Sequence, residues 1–377
     1  METAVFNYQQ DRGWSIPTFP QLDSENTLVL AFGSRDGLAD GAFLENLSKA
    51  YPTAHFLGCS TAGEVCGTSI MDGSMTVAVS LFNSTRLRSS IAQIQSSKES
   101  FAVGNRLAHE LFAPDLRGIF VLSDGMRVNG SELVSGLNQA LPPGTVVTGG
   151  LAGDGDRFQK TWVLCQRQRA EGYVSAIGFY GDRIKIGHGS KGGWDVFGIE
   201  REVTRSEGNV LFEIDGRSAL SLYKDYLGEL AAGLPANALL FPLSLRRSKN
   251  DNAGLVRTIL SIDEKTQSMT FAGDIPLGSH VRFMRANFDR LVDGAMEAGQ
   301  LAGKSSSEEC LAIAISCVGR RLVLRERAEE EIEAVRDSLP ASAHLIGFYS
   351  YGELSPFAGG PCELHNQTMT LTTLSET

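Results

Sequence analysis

One phrase occurs twice in this chain, and it constrains the fold more than any other feature. His55-Phe56-Leu57-Gly58-Cys59-Ser60-Thr61-Ala62-Gly63-Glu64-Val65 returns as His344-Leu345-Ile346-Gly347-Phe348-Tyr349-Ser350-Tyr351-Gly352-Glu353-Leu354. The His, both Gly and the Glu match in register, and the apolar positions match in kind. Repetition of this sort marks duplicated supersecondary units. An apolar strand entering a Gly-x4-Gly-Glu turn at both places predicts equivalent backbone corners facing a shared interior, a cradle for a ligand before a catalyst.

The phrase closes a longer unit. Thr27-Leu28-Val29-Leu30-Ala31-Phe32 reads as an apolar strand ending at Gly33, followed by a helix over roughly 40–51 with apolar Phe43, Leu44 and Leu47. Pro52 stops it, and His55 opens the return strand. The order recurs from Gly118, through a turn at Ser123-Asp124-Gly125 and a helix around 130–140, to the strand Thr145–Gly150. Its turn, Gly150-Leu151-Ala152-Gly153-Asp154-Gly155-Asp156, is a looser copy. The third unit runs from Leu311 through a charged helix at about 321–339, with Glu329, Glu330, Glu331 and Glu333 expected to face water, to the strand at His344. A further helix is expected from Leu222, Tyr223, Tyr226, Leu227 and Leu230. Strand–helix–strand links imply right-handed crossovers and partly parallel pairing. The expected fold class is α/β: two related halves built from repeated β-α-β units, with additional β-strands forming layered sheets and helices outside.

A chain of 377 residues is long for one core, which also favours two domains. With 42% apolar and 21% charged residues it is an ordinary folded composition. No run of about 18 apolar residues suggests a membrane-spanning helix, and Met1-Glu2-Thr3-Ala4 does not open a signal peptide, so a cytoplasmic location is expected. The formal charge of −10 argues against binding to nucleic acid or to anionic membranes, and no membrane insertion is expected. The cysteines at 59, 66, 165, 310, 317 and 362 lack zinc-knuckle spacing and are expected to be reduced and buried.

Gly193-Trp194-Asp195-Val196-Phe197-Gly198 and the stretch from Val203 to Leu220 resemble the junction of the FIST family. So do Gly58–Glu64, Gly149–Asp154, Gly347–Glu353 and Leu364-His365-Asn366-Gln367-Thr368. The resemblance implies a bacterial sensory protein with a lead-in over 1–26, a FIST N-type domain over 27–218 and a FIST C-type domain over 219–377. A subgroup that binds haem b and senses nitric oxide resembles this chain more closely. It implies a haem-binding nitric oxide sensor that regulates a partner histidine kinase in a two-component system, without enzymatic activity of its own. A second copy of the chain, in a homodimer, is a further partner to consider.

Among six histidines, His188 in Arg183-Ile184-Lys185-Ile186-Gly187-His188-Gly189-Ser190-Lys191-Gly192-Gly193-Trp194 is the first candidate for haem iron. A strand is expected to deliver it into a glycine-flanked bend open to a planar ring. Arg183, Lys185 and Lys191 are candidate propionate partners and Trp194 a candidate wall. The plainer reading of His188 is a polar residue on a surface loop. The alternative is a small-ligand module, for an amino acid for example, with His55, Glu64, His344 and Glu353 lining a site between the corners. The plainer reading there is structural, each Glu accepting backbone N–H groups and locking its turn. A thiol hydrolase with Cys59 as nucleophile and His55 as base is weaker still, because the repeat has Phe348 at the equivalent position.

Overall fold

Parallel pairing of two strands demands a crossover between them, and this sequence supplies one three times over. The computed structural model describes residues 1–35, 42–248, 254–303, 309–357 and 359–377. In the first unit Thr27–Gly33 pairs in parallel with His55–Ser60 across helix Ala42–Ala50. In the second, Leu116–Ser123 and Val146–Leu151 flank helix Gly130–Ala140. In the third, Leu311–Cys317 and His344–Ser350 flank helices Val318–Leu324 and Ala328–Asp337. A last strand of each unit returns antiparallel against its first: Ser74–Leu81, Tyr173–Tyr180 and Met369–Glu376.

The first glycine of the repeated phrase has one physical reason in all three units. Gly58, Gly149 and Gly347 lie opposite Ala31, Val121 and Ala314 in the parallel pairs. A Cβ on any of them would run into the carbonyl oxygen of that partner. Each pair is therefore pressed together just before its corner.

Past that corner every unit leaves its own sheet. The hairpin Glu64–Cys66/Ser69–Met71 of the first unit joins the third unit's sheet, beside His344–Ser350. The hairpin Val163–Cys165/Gln168–Ala170 of the second joins the first, beside His55–Ser60. The hairpin Gly352–Pro356/Cys362–His365 of the third joins the second, beside Val146–Leu151. The exchange is cyclic. Equivalent backbone hydrogen bonds seal it: the Ala62 N–H donates to the Tyr349 carbonyl (2.8 Å), Gly153 to Ser60 (2.9 Å) and Tyr351 to Leu151 (3.2 Å).

The three sheets turn one face each toward a common core. Leu57 and Phe32 of the first unit, Phe120 and Leu122 of the second, and Ile315 and Phe348 of the third are buried in one cluster. The rings of Phe32 and Phe348 lie 4.6 Å apart. The shared interior expected as a cradle is thus filled, because the inward faces of the strands leading to the corners are apolar. Helices Ser100–Leu111, Gly130–Ala140, Phe288–Gly303 and Ala328–Asp337 contribute to a second cluster on outer faces.

The third unit also carries an inserted antiparallel sheet, running from Asp195–Glu207 to His280–Arg285. It has its own core of Val203, Leu211, Tyr223, Phe271 and Phe283. The helix expected near residue 222 is Ala219–Leu227, capped where the Ser218 hydroxyl accepts the Ser221 N–H (3.2 Å). Leu230 lies beyond it and is exposed.

Two expectations about the third unit are corrected. The single helix over 321–339 is broken at Arg325, which adopts φ 54° between two shorter helices. Glu331 does not face water. It is fully buried, 2.5 Å from the Arg320 Nε, and accepts from the hydroxyls of Ser316 (3.1 Å) and Tyr349 (3.0 Å). Helical spacing puts it one turn before buried Val335, on the inner face.

The close approach of paired strands is directly testable. Gly149 adopts φ 148° as well as facing the Val121 carbonyl. Gly149→Ala is expected to destabilise the protein by about 2–4 kcal/mol, through both clash and strain. A thermal melt unchanged from wild type would contradict this.

Candidate functional site

The cyclic exchange gathers the ends of the parallel strands at one end of the assembly, and the duplicated glutamates are its locks. The Thr61 hydroxyl donates to Glu64 Oε1, while the hydroxyl (2.7 Å) and N–H (3.1 Å) of Ser74 donate to Oε2. Glu353 repeats the pattern with the Ser350 hydroxyl (2.7 Å) and the hydroxyl (2.9 Å) and N–H (3.3 Å) of Thr368. Each carboxyl ties its corner to the start of the unit's last strand. Both are buried, so neither is exposed to a ligand ammonium. His55 and His344 open the strands whose far ends carry the corners, so the four residues do not form the single site considered above. His55 Nδ1 instead meets the Ser89 hydroxyl at 2.7 Å, and His344 Nε2 lies 4.0 Å from Glu309.

The structure shifts the second unit's copy by one residue: Gly149, not Gly150, is the equivalent of Gly58 and Gly347, which puts Gly155 at the Glu position and Asp154 before it. Asp154 is fully buried and accepts the N–H groups of Phe158 (2.9 Å), Gln159 (3.1 Å) and Lys160 (2.9 Å). Arg35, just past the first unit's opening strand, reaches it at 3.1 Å. The hydroxyl of Tyr351, from the third unit's corner, donates to its Oδ1. Burial alone would raise this carboxyl; the Tyr351 hydroxyl and the backbone donors outweigh it and hold the group below its ordinary range. One carboxylate thus joins side chains from all three units. The ring of Tyr351 stacks on Phe158 at 4.4 Å.

Beside Asp154 opens a cavity of about 290 Å³ walled by Arg35, Lys160, Thr161, Trp162, Arg169 and Glu171, among others. Lys160 pairs with Glu171 at 2.6 Å. The Arg169 guanidinium rests 5.7 Å from the centre of the Phe43 ring. The Thr161 hydroxyl oxygen accepts the Gly125 N–H (3.0 Å), leaving its proton to donate. The buried Trp162 indole N–H has no acceptor among the described residues. No single stretch of sequence marks this wall, because its members come from the first unit's strand end and from the second unit's hairpin and the residues just before it. The looser corner copy at 150–156 was the one signal pointing there.

The residues considered for haem are dispersed. His188 lies within the regular strand Ile184–Lys191, paired with Met369–Glu376, and not in a bend. Alternation puts His188 on one face and Lys185 and Lys191 on the other. Lys191 pairs there with Glu297 at 3.2 Å. Gly187 and Gly189 admit helix Phe288–Gly303, since a Cβ at either would strike the Ala302 or Ala298 carbonyl. Arg183 donates to the Thr377 carbonyl (3.1 Å). Trp194 is buried among Met284, Leu291 and Val323 and donates to the Gln367 carbonyl (2.7 Å). These five residues do not fit a haem as a set. Cys59 is fully buried in the central core, where desolvation pushes its thiol well up, and His55 lies at the other end of its strand.

Comparison with known proteins places this architecture. The FIST N domain matches residues 27–217 and the FIST C domain residues 219–356. The chain belongs to the FIST family of sensory domains. An uncharacterized protein of Methanocaldococcus jannaschii is 23% identical over 353 residues, covering 82% of this chain and 66% of that protein. This FIST protein therefore spans just under two thirds of that relative. A solved cyanuric acid hydrolase from A. caulinodans aligns at 10% identity with TM-score 0.19, over 78% of this chain and 99% of its own. PurLQS from Thermotoga maritima aligns at 10% identity with TM-score 0.17, over 93% and 66%. Likenesses this faint carry no argument. Among the described residues, no helix of the FIST protein is long and apolar enough to cross a membrane.

The buried locks set a pH dependence. Burial pushes the Glu64 carboxyl up to about 7 and that of Glu353 up to about 8, against their hydroxyl donors. Between about 4.5 and those values the folded state holds protons the unfolded chain has released, so both groups make stability fall as pH rises. His365 acts oppositely: burial lowers it to about 4, so its contribution rises with pH up to about 6.5. Glu353→Gln can keep its carbonyl toward Thr368 and turn its amide to the Ser350 hydroxyl. It is expected to lose less stability than wild type between pH 5 and 8 in denaturant titrations. Equal losses would show that Glu353 does not titrate there.

Proposed function

We propose that this FIST protein is a small-ligand sensory module, taking up its ligand at the corner end without making or breaking bonds in it. The observation that carries the reading is the cavity beside Asp154. Arg35 both lines it and grips Asp154, and Asp154 also holds Tyr351, so occupancy would act on all three units at once. An outward route is at hand. Adjacent to the Tyr351 corner, the Tyr349 hydroxyl donates to Glu331, whose partner Arg320 holds the carbonyls of Leu291 (2.7 Å), Gly192 and Gln367 at the root of the inserted sheet. In this reading a partner histidine kinase responds to the state of that root.

A haem sensor of nitric oxide is the second reading. What favours it is the half-buried His188 ring, which makes no hydrogen bond among the described residues and which desolvation lowers below its ordinary value, keeping it neutral. That is the form that binds iron. In that reading His188 would hold the haem, whose iron would supply the gas-binding chemistry. The dispersal of Lys185, Lys191 and Trp194 weighs against it.

Thermal-shift measurements on the purified full chain separate the readings. Stabilisation by members of a panel of small polar metabolites, with none by hemin, is expected. A Soret band after haem reconstitution that disappears in His188→Ala would replace the first reading with the second.

A further inference from the structure

Resting on the ligand-sensing reading above, we propose that the cavity beside Asp154 binds the oxyanion, carboxylate or phosphate, of a small ligand through Arg169, Lys160 and Arg35. The chain as a whole carries a charge of −10, yet this wall presents three cations and one carboxylate, Glu171. Glu171 already pairs with Lys160, and Arg35 with Asp154. Arg169 has no carboxylate partner among the described residues and is held over the Phe43 ring. A planar guanidinium fixed in this way presents a fork that matches two oxygens of a carboxylate or phosphate. The Thr161 hydroxyl, whose oxygen accepts the Gly125 N–H, keeps a proton to donate.

Among the described residues the wall therefore offers three cations against one carboxylate, which is already paired. A ligand bringing negative charge and lone pairs completes it; an amine does not. A volume near 290 Å³ sits at the small end for ligand sites and is too small for a tetrapyrrole. The site lies where Arg35 reports to Asp154, so charge arriving at Arg169 and Lys160 competes for the same guanidinium that grips the buried carboxylate. That contact is how an anion would loosen or tighten the corner.

The test uses the full chain and isothermal titration at constant ionic strength, with sodium succinate, sodium phosphate and ethylammonium chloride as probes. Saturable binding of succinate, phosphate or both is expected, with none of ethylammonium; whichever anion binds identifies the source of the oxyanion. Arg169→Ala is expected to weaken binding about 10- to 100-fold, the range for a hydrogen bond to a charged group. Arg169→Lys should fall between, keeping charge and losing the fork, and exposed Lys98→Ala should match wild type. If Arg169→Ala does not fold, Lys160→Met carries the same comparison. Anion binding unchanged in both variants would overturn the assignment of the site. Failure of both anions at millimolar concentration, with stabilisation by another metabolite, would end the oxyanion proposal and leave the sensory reading standing. Failure of the whole metabolite panel would end both.

Discussion

Three places where backbone touches backbone govern this molecule. At Gly58, Gly149 and Gly347 the return strand lies so near its parallel partner that no side chain fits. That approach sets where each strand must turn, and the turn sends the following hairpin out of its own sheet into its neighbour's. The cyclic arrangement of sheets, the filled centre and the gathering of corners at one end all descend from it. Glycine is required by contact at all three positions, and at Gly149 also by its φ of 148°.

The candidate site sits where the repetition fails. The first and third units keep a glutamate that spends itself entirely on its own corner. The second has lost that lock, and the aspartate one residue earlier collects partners from elsewhere in the ring instead. Two units that hold shape thus frame one that can take on chemistry. A symmetric structure with identical corners would have filled every such position with internal hydrogen bonds.

Much of this was readable in the letters. Apolar strands, the prolines that end their helices and the repeated glycine phrase gave three strand–helix–strand units in the right order, and the family resemblance agreed. The hairpin exchange was not readable, because each hairpin pairs with residues roughly a hundred or more positions away. Glu331 escaped because its neighbours Glu329, Glu330 and Glu333 make an evidently solvated run, and only Arg320 across the fold reveals that one of them turns inward. His188 misled for a related reason. Glycines on either side of a histidine suggest a loop, whereas here they are small so that a helix can lie against the strand. The cavity wall has no motif of its own beyond the looser corner copy at 150–156: Arg35 and Arg169 are brought together by topology alone.

The lending of hairpins also decides how the chain can be divided. A cut at the boundary between the two family segments would strip the first of the strand pair that completes the second unit's sheet, and the second of the pair that completes its own. Each fragment would be left with raw strand edges and exposed apolar faces, the material of aggregates rather than of independent modules. What looks in sequence like two beads on a string is mechanically a closed loop of borrowed parts, inherited whole or not at all.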